Sequence, residues 1–212
     1  MPTEHVVKQG EHLSQIAKQY GFFDYRRIWD HPQNAGLKAL RQNPNVLFPG
    51  DRLHVPDKEL KKETRPTGQR HVFRIPGSSL MLRFRVKTLD KEPAANVACE
   101  LEVDGATVQL TANADGEVER RIPATARGGK LIVRDLGIEA PVQIGHLDPV
   151  DTLTGQIARL NNLGYNAGPI GGGADDAQVR SAIEEFQCDN DLTVDGICGA
   201  ATQRKLLEVH GC

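Results

Sequence analysis

The spacing of apolar positions along the chain changes twice. In the first stretch, Leu13, Ile16, Ala17 and Tyr20 fall at i, i+3, i+4 and i+7, which is one face of a helix, and Gly21 stops it. Val6-Val7-Lys8 ahead of it reads as a short strand ended by Gly10. A second helical stretch over 24–30 carries Tyr25, Ile28 and Trp29 and ends before Pro32. Turns at Asn43-Pro44-Asn45 and Pro49-Gly50 lead to a closing strand, Arg52-Leu53-His54-Val55. The predicted order is β-α-α-β.

From residue 80 the period becomes two. Leu80, Leu82, Phe84 and Val86 share one face, and Arg83, Arg85 and Lys87 share the other. Runs over 96–103 and 106–111 flank Asp104-Gly105, a tight-hairpin signal because both turn residues must accept positive φ. Asp115-Gly116 repeats the device before 117–122, and further strands read at 130–134 and 141–144. About seven short strands predict a small antiparallel β-sandwich, Ig-like in kind. This stretch has no clustered acids, no nucleophile beside a base and no metal-ligand spacing, so it reads as a spacer or docking unit.

Around Pro149 the helical period returns. Leu153, Ile157, Leu160 and Leu163 form one stripe with Gly164 beyond it. Val179, Ala182, Ile183 and Phe186 form a second, with Asp175 or Asp176 as N-cap. Leu206 and Val209 mark a third, ended by Gly211. Three short helices joined by Gly-rich loops predict a compact bundle. The whole is a multidomain α+β chain. Its expected units are 1–57, a linker over 58–70 that is charged and closed by Pro66 and Gly68, 71–146, and 147–212.

Charge follows those units. Residues 1–70 hold 12 Lys/Arg against 8 Asp/Glu, residues 71–146 hold 10 against 10, and residues 147–212 hold 4 against 10. The net charge of -2 excludes a globally basic nucleic-acid binder. No stretch approaches the roughly 18 apolar residues of a membrane span. The segment 1–8 shows no apolar run, so no export leader is read in it.

Two resemblances carry function. "HVVKQGEHLSQIAKQYG" and "NPNVLFPGDRLHVP" resemble the two halves of a LysM domain over about residues 4–57. That family binds N-acetylglucosamine-containing glycans, above all peptidoglycan. The resemblance implies a groove between two loops, with Gly10, Glu11, His12, Leu13, Asn43, Asn45, Val46 and Phe48 as candidate contacts. Asn43-Pro44-Asn45 is equally a good turn, and Leu13 and Val46 are equally core candidates. The chain departs from the family at Glu11-His12, where Asp-Thr is usual, which weakens the first helix's N-cap. It also carries about ten extra residues, Gln33 to Gln42.

"ARLNNLGY", "AIEEFQ" and "LTVDGICGAATQRKL" resemble the three-helix peptidoglycan-binding domain of cell-wall hydrolases over about residues 150–208. Its repeated Asp-Gly-x-x-Gly-x-x-Thr is intact over 195–202 and degenerate in the earlier copy, where Gly172, Asp176 and Val179 stand in the Asp, second Gly and Thr places. The intact copy has a folding explanation, since Asp caps a turn, Gly takes positive φ and Thr bonds backbone. Asp195, Gly196 and Thr202 are the second candidate contacts, with Tyr165, Phe186 and Gln187 added if exposed.

No catalytic constellation is visible. The seven His are scattered without an i, i+4 pair, and Glu184-Glu185 and Asp175-Asp176 are adjacent pairs that do not share a helix face. No cofactor or metal is implied. Cys99 sits in a predicted strand; Cys188, Cys198 and Cys212 form no Cys-x-x-Cys, and free thiols are the default.

The segments "DHPQN", "NPNVLFPGDRLHVPD", "TGQRHVF" and "GHLDPVDTLTGQIARLNNLGY" also make the whole chain similar to LysM/peptidoglycan-binding proteins of Gram-negative bacteria. Those accompany type VI secretion systems and phage-tail-like injection machines. The resemblance implies a non-catalytic wall-binding protein, made in the cytoplasm and delivered to the periplasm or a target cell. Spike or effector proteins are its implied partners. The alternatives are a protein-docking adaptor or chaperone and a wall hydrolase.

Overall fold

The computed structural model describes residues 2–59, 62, 64–72, 79–88, 90 and 92–212. Residues 60, 61 and 63 of the expected linker, and 73–78 of the segment after it, lie outside the described residues. Helices and antiparallel sheets alternate along the chain around three separate hydrophobic clusters.

In the first, β1 (Thr3–Val6) pairs antiparallel with β2 (Arg52–Val55), from Thr3 opposite Val55 to Val6 opposite Arg52. The strand lies earlier than Val6-Val7-Lys8, because at Val7 the chain leaves the pairing. There the Val7 N–H donates to the Asp51 carbonyl and the Val7 carbonyl accepts from Gly50. Helices α1 (Leu13–Gln19) and α2 (Arg26–Trp29) cover the pair, with Leu13, Ile16, Ile28, Trp29 and Leu53 in the core. The predicted order gains one element. Residues 32–42 contain a 3-10 turn (Pro32–Asn34) and a third helix, α3 (Ala35–Arg41), which has no fully buried residue and therefore no apolar stripe to announce it. Asn34 fastens this insertion. Its buried amide donates to the Ile28 and His54 carbonyls and accepts from the His54 N–H.

The second cluster lies between two sheets. One pairs β3 (Ser79–Arg85) with β6 (Glu117–Pro123). The other runs β5-β4-β7-β8, with β4 (Ala98–Val103), β5 (Ala106–Thr111), β7 (Gly128–Val133) and β8 (Ile138–Gln143). Leu82, Phe84, Val118 and Ile122 from the first meet Cys99, Leu101, Leu131 and Val133 from the second. The β4–β5 hairpin turns on Asp104 and Gly105, both at positive φ, as the Asp-Gly signal requires. Asp115-Gly116 behaves differently. Only Gly116 takes positive φ, and the chain crosses to the other sheet instead of pairing β6 with β5.

The third cluster is built by α4 (Leu153–Leu163), α5 (Asp176–Asp189) and α6 (Ala200–His210). The boundary signals act through identifiable bonds. Thr152 Oγ1 accepts from Gly155 N, Asp175 Oδ1 accepts from Ala177 N, and Gly164 and Gly211 end α4 and α6 in the left-handed conformation. No helix among the described residues is long and apolar enough to cross a membrane.

Candidate functional site

The two expected N-terminal loops meet, and backbone holds them together. Leu13 N–H donates to the Pro44 carbonyl at 3.1 Å, and Ser14 Oγ donates to Asn45 Oδ1 at 3.3 Å. Asn43 Oδ1 accepts from Asn45 N at 2.9 Å, an Asx turn that leaves Asn45 exposed at the tip. Beside it Phe48 is half-buried, its N–H donating to Asp51 Oδ2. Arg41, from the inserted α3, forks onto Asp51 at 2.8 and 2.9 Å and lies 5.6 Å from the Phe48 ring centre. The Asp51 hydrogen bond holds the Arg41 guanidinium above its ordinary pKa.

Leu13 and Val46 are buried core side chains, and their N–H groups donate to the Pro44 and Asn43 carbonyls, so neither is a free ligand contact. Glu11 is turned inward as a loop brace, its carboxylate accepting from His5 Nε2 and Lys8 N, both at 2.9 Å. The Gly10 backbone faces Gly145 and His146, while the outward groups are Asn43, Asn45 and the Phe48 ring edge. Together they supply amide donors, acceptors and an aromatic border, the groups a sugar hydroxyl array needs. A shallow cleft of about 320 Å³ lies at the far end of α1, away from these loops, lined by Tyr20, Phe22 and Pro56 among others.

His12 departs most from the expectation of a surface contact. It is 1% exposed, caps α1 without a side-chain bond, and neither ring nitrogen has a partner. Burial pushes its pKa down to about 4. A free imidazole titrates near 6.5, so between there and about 4 the unfolded chain holds the extra proton, and stability falls as pH falls. We expect a loss of about 2 kcal/mol between about pH 7.5 and pH 5. Urea unfolding followed by Trp29, the only tryptophan and a core residue here, measures it. His210, which burial also lowers to about 4, adds its own fall in the same window, so His12→Leu should make the profile shallower; an equally steep profile in that variant contradicts the assignment.

In the C-terminal part the expected contacts turn inward. Phe186 is 0% exposed and Gln187 1%, which removes both as surface candidates. Gln187 is the hub of the Asp-Gly-x-x-Gly-x-x-Thr loop. Its Oε1 accepts from Asp195 N and Gly196 N, and its Nε2 lies 2.8–3.1 Å from Asp195 Oδ1, the Ile197 carbonyl and Thr202 Oγ1. The Gln187 amide and the Ile197 N–H hold the Asp195 carboxyl below the usual carboxylate range. Thr202 is buried, and Gly196 takes φ 69° where the turn needs it. These side chains are engaged in holding the loop together, and Ile197 within it and Val194 just before it are exposed. Tyr165 is half-buried, edge-on to Phe186 at 5.5 Å, with its hydroxyl donating to Asp189. Burial, then that bond, pushes its pKa up to about 12.

All four cysteines are free. Cys198 precedes α6 and Cys212 follows it, and neither is paired. Burial raises the Cys99, Cys198 and Cys212 thiols, Cys198 to about 11, whereas Cys188 is exposed. A maleimide at neutral pH should label Cys188 first, read by peptide mass mapping. Faster labelling of Cys198 contradicts this. No group of three or more metal-ligating side chains occurs among the described residues.

Sequence reasoning missed the Arg41–Asp51 pair and the packing over His12, because each joins residues with no local spacing signal. Asp51 alone was visible, in Pro49-Gly50-Asp51.

Two domain models match the chain. The LysM domain model matches residues 5–24, which contain the first loop but not the second. The model described as "Putative peptidoglycan binding domain" matches residues 158–206, from α4 to α6. No curated protein and no solved structure matches. Both models describe binding domains, and together they point to a cell-wall binding role.

Proposed function

We propose that the chain is a non-catalytic, modular peptidoglycan-binding protein, its units divided at residues 57, 70 and 146. One observation carries this reading. Wall-binding domain models match at two separate places, and beside one of them the 43–48 loop presents asparagines and an aromatic edge at the surface. Two weak sites on one chain reinforce each other on a repeating polymer, because the second event occurs at high effective concentration. We read the middle unit as a β-sandwich spacer and the last as a three-helix bundle. The basic N-terminal unit suits the carboxylates of peptidoglycan better than the acidic C-terminal one.

The finer part of the reading places the protein with a type VI secretion or contractile injection machine and its spike or effector cargo. Its support is the resemblance across the segments quoted above. The inward-turned Phe186, Gln187 and Thr202 favour a second reading for the C-terminal unit, protein docking as an adaptor. Incubation with purified sacculi tests the non-catalytic claim: bound protein with no soluble muropeptides supports it, and muropeptide release overturns it.

A further inference from the structure

The segment joining β8 to α4 does not hang free between two units. It begins at Gly145, just after Ile144 of the middle core, and returns to a core at Val150. Between them it crosses the N-terminal loops. A Cβ placed on Gly145 would stand 2.5 Å from the Gly10 carbonyl oxygen and 3.2 Å from His12 Cδ2. A Cβ placed on Gly10 would stand 2.9 Å from His146 Nε2. At its far end Asp151 Oδ1 lies 4.0 Å from Arg41 Nη1, and Arg41 is the residue laid against Phe48 of the second loop. The segment thus touches the Gly10–Leu13 loop at one end and the flank of the second loop at the other.

The Glu11-His12 departure from the LysM pattern lies in this contact region. Glu11 braces the loop from inside through His5 and Lys8, and His12 is sealed over, with two unpartnered nitrogens and Gly145 against its ring. An imidazole buried without a hydrogen bond is costly.

We propose that residues 145–151 form an intramolecular strap over the first loop, so that the closed chain withholds Gly10–Leu13 from glycan and binding requires the strap to lift. This rests on reading that loop as a glycan contact, and adds the regulation of that site. A closed state lowers apparent affinity by the fraction of molecules that are open. The contact consists of two glycine backbones, one imidazole face and one long ion pair, so the expected bias is modest, on the order of fivefold to tenfold. The acidic end of the strap also places Asp151, 60% exposed, beside the loop where a wall carboxylate would come. That adds repulsion to the steric cover.

Two variants open the strap without touching the loop residues. Gly145→Val puts a side chain where the Gly10 carbonyl stands, at a position with φ 81°. Asp151→Arg turns the contact with Arg41 into repulsion, on an exposed side chain that leaves the core intact. Each is titrated with penta-N-acetylchitopentaose by calorimetry, with Trp29 emission confirming a folded N-terminal core. Amide NMR shifts of Gly10 report the contact itself. We expect Gly10 to shift in both variants, and affinity to rise about fivefold or more in Gly145→Val and about twofold in Asp151→Arg. Unchanged or weaker binding in both variants, with wild type binding, overturns the strap and leaves the glycan reading standing. No binding by any of the three proteins overturns the glycan reading of the loop, and the strap with it. An unshifted Gly10 amide in Gly145→Val overturns the contact.

Discussion

Arg159→Ala is expected to destabilise the C-terminal helices by about 4 kcal/mol, the largest effect of any single change considered. Arg159 is 1% exposed, yet the hydrogen bonds of its guanidinium are to backbone carbonyls, not to a carboxylate. Nε donates to the Cys212 carbonyl at 2.8 Å, and Nη1 donates to Asp148 and Gly155 at 2.7 and 2.8 Å. Burial lowers its pKa from the ordinary guanidinium value, while Asp148 and Asp151 nearby work the other way. Truncation leaves three acceptors in a low-dielectric interior and removes the packing of the stem. The Asp148 bond also anchors the strap to α4. The variant should therefore lose amide-exchange protection around residues 148–155 beyond the loss of global stability. Arg159→Lys should recover only part, since an ammonium cannot reach three carbonyls with a planar fork. A change under about 1 kcal/mol in urea unfolding followed by circular dichroism contradicts the assignment.

Gln187→Ala comes second, at about 3 kcal/mol. From a fully buried position the side chain accepts from two backbone N–H groups and places its two N–H donors among three acceptors of the 195–202 loop. Without it, Asp195 N, Gly196 N and Thr202 Oγ1 lose their shared partner and a cavity opens beside Phe186. Gln187→Glu restores the volume but replaces two donors with a carboxylate facing Asp195, so it should rescue little. Both variants separate folding from recognition. If Gln187→Ala keeps wild-type stability and loses wall binding, the residue is a glycan contact and the folding account fails.

These two residues also show what the sequence could disclose. The stripes at Leu13-Ile16-Ala17 and Ile157-Leu160 point inward because helical period fixes which face is apolar, although Leu153, read into the second stripe, is exposed at the start of α4; Gly164, Gly211 and Asp104-Gly105 act through backbone conformation alone. Such signals are local. Gln187 follows a buried aromatic in a helix, and nothing in its neighbours says that it reaches eight residues on to Asp195. Helix α3 is amphipathic only weakly, so its composition read as an insertion without a shape. The meeting of Gly10 with Gly145 is written in two residues without side chains, which leave no apolar pattern to read. The candidate loops were legible from their turns and family likeness. Their cover was not, since it depends on how distant units pack.

The central claim is wall binding, and co-sedimentation of the full chain with purified peptidoglycan sacculi tests it most directly. The account predicts depletion of the protein from the supernatant, relieved by an excess of N-acetylglucosamine oligomers. A supernatant indistinguishable from that of a control protein of similar size and charge contradicts it.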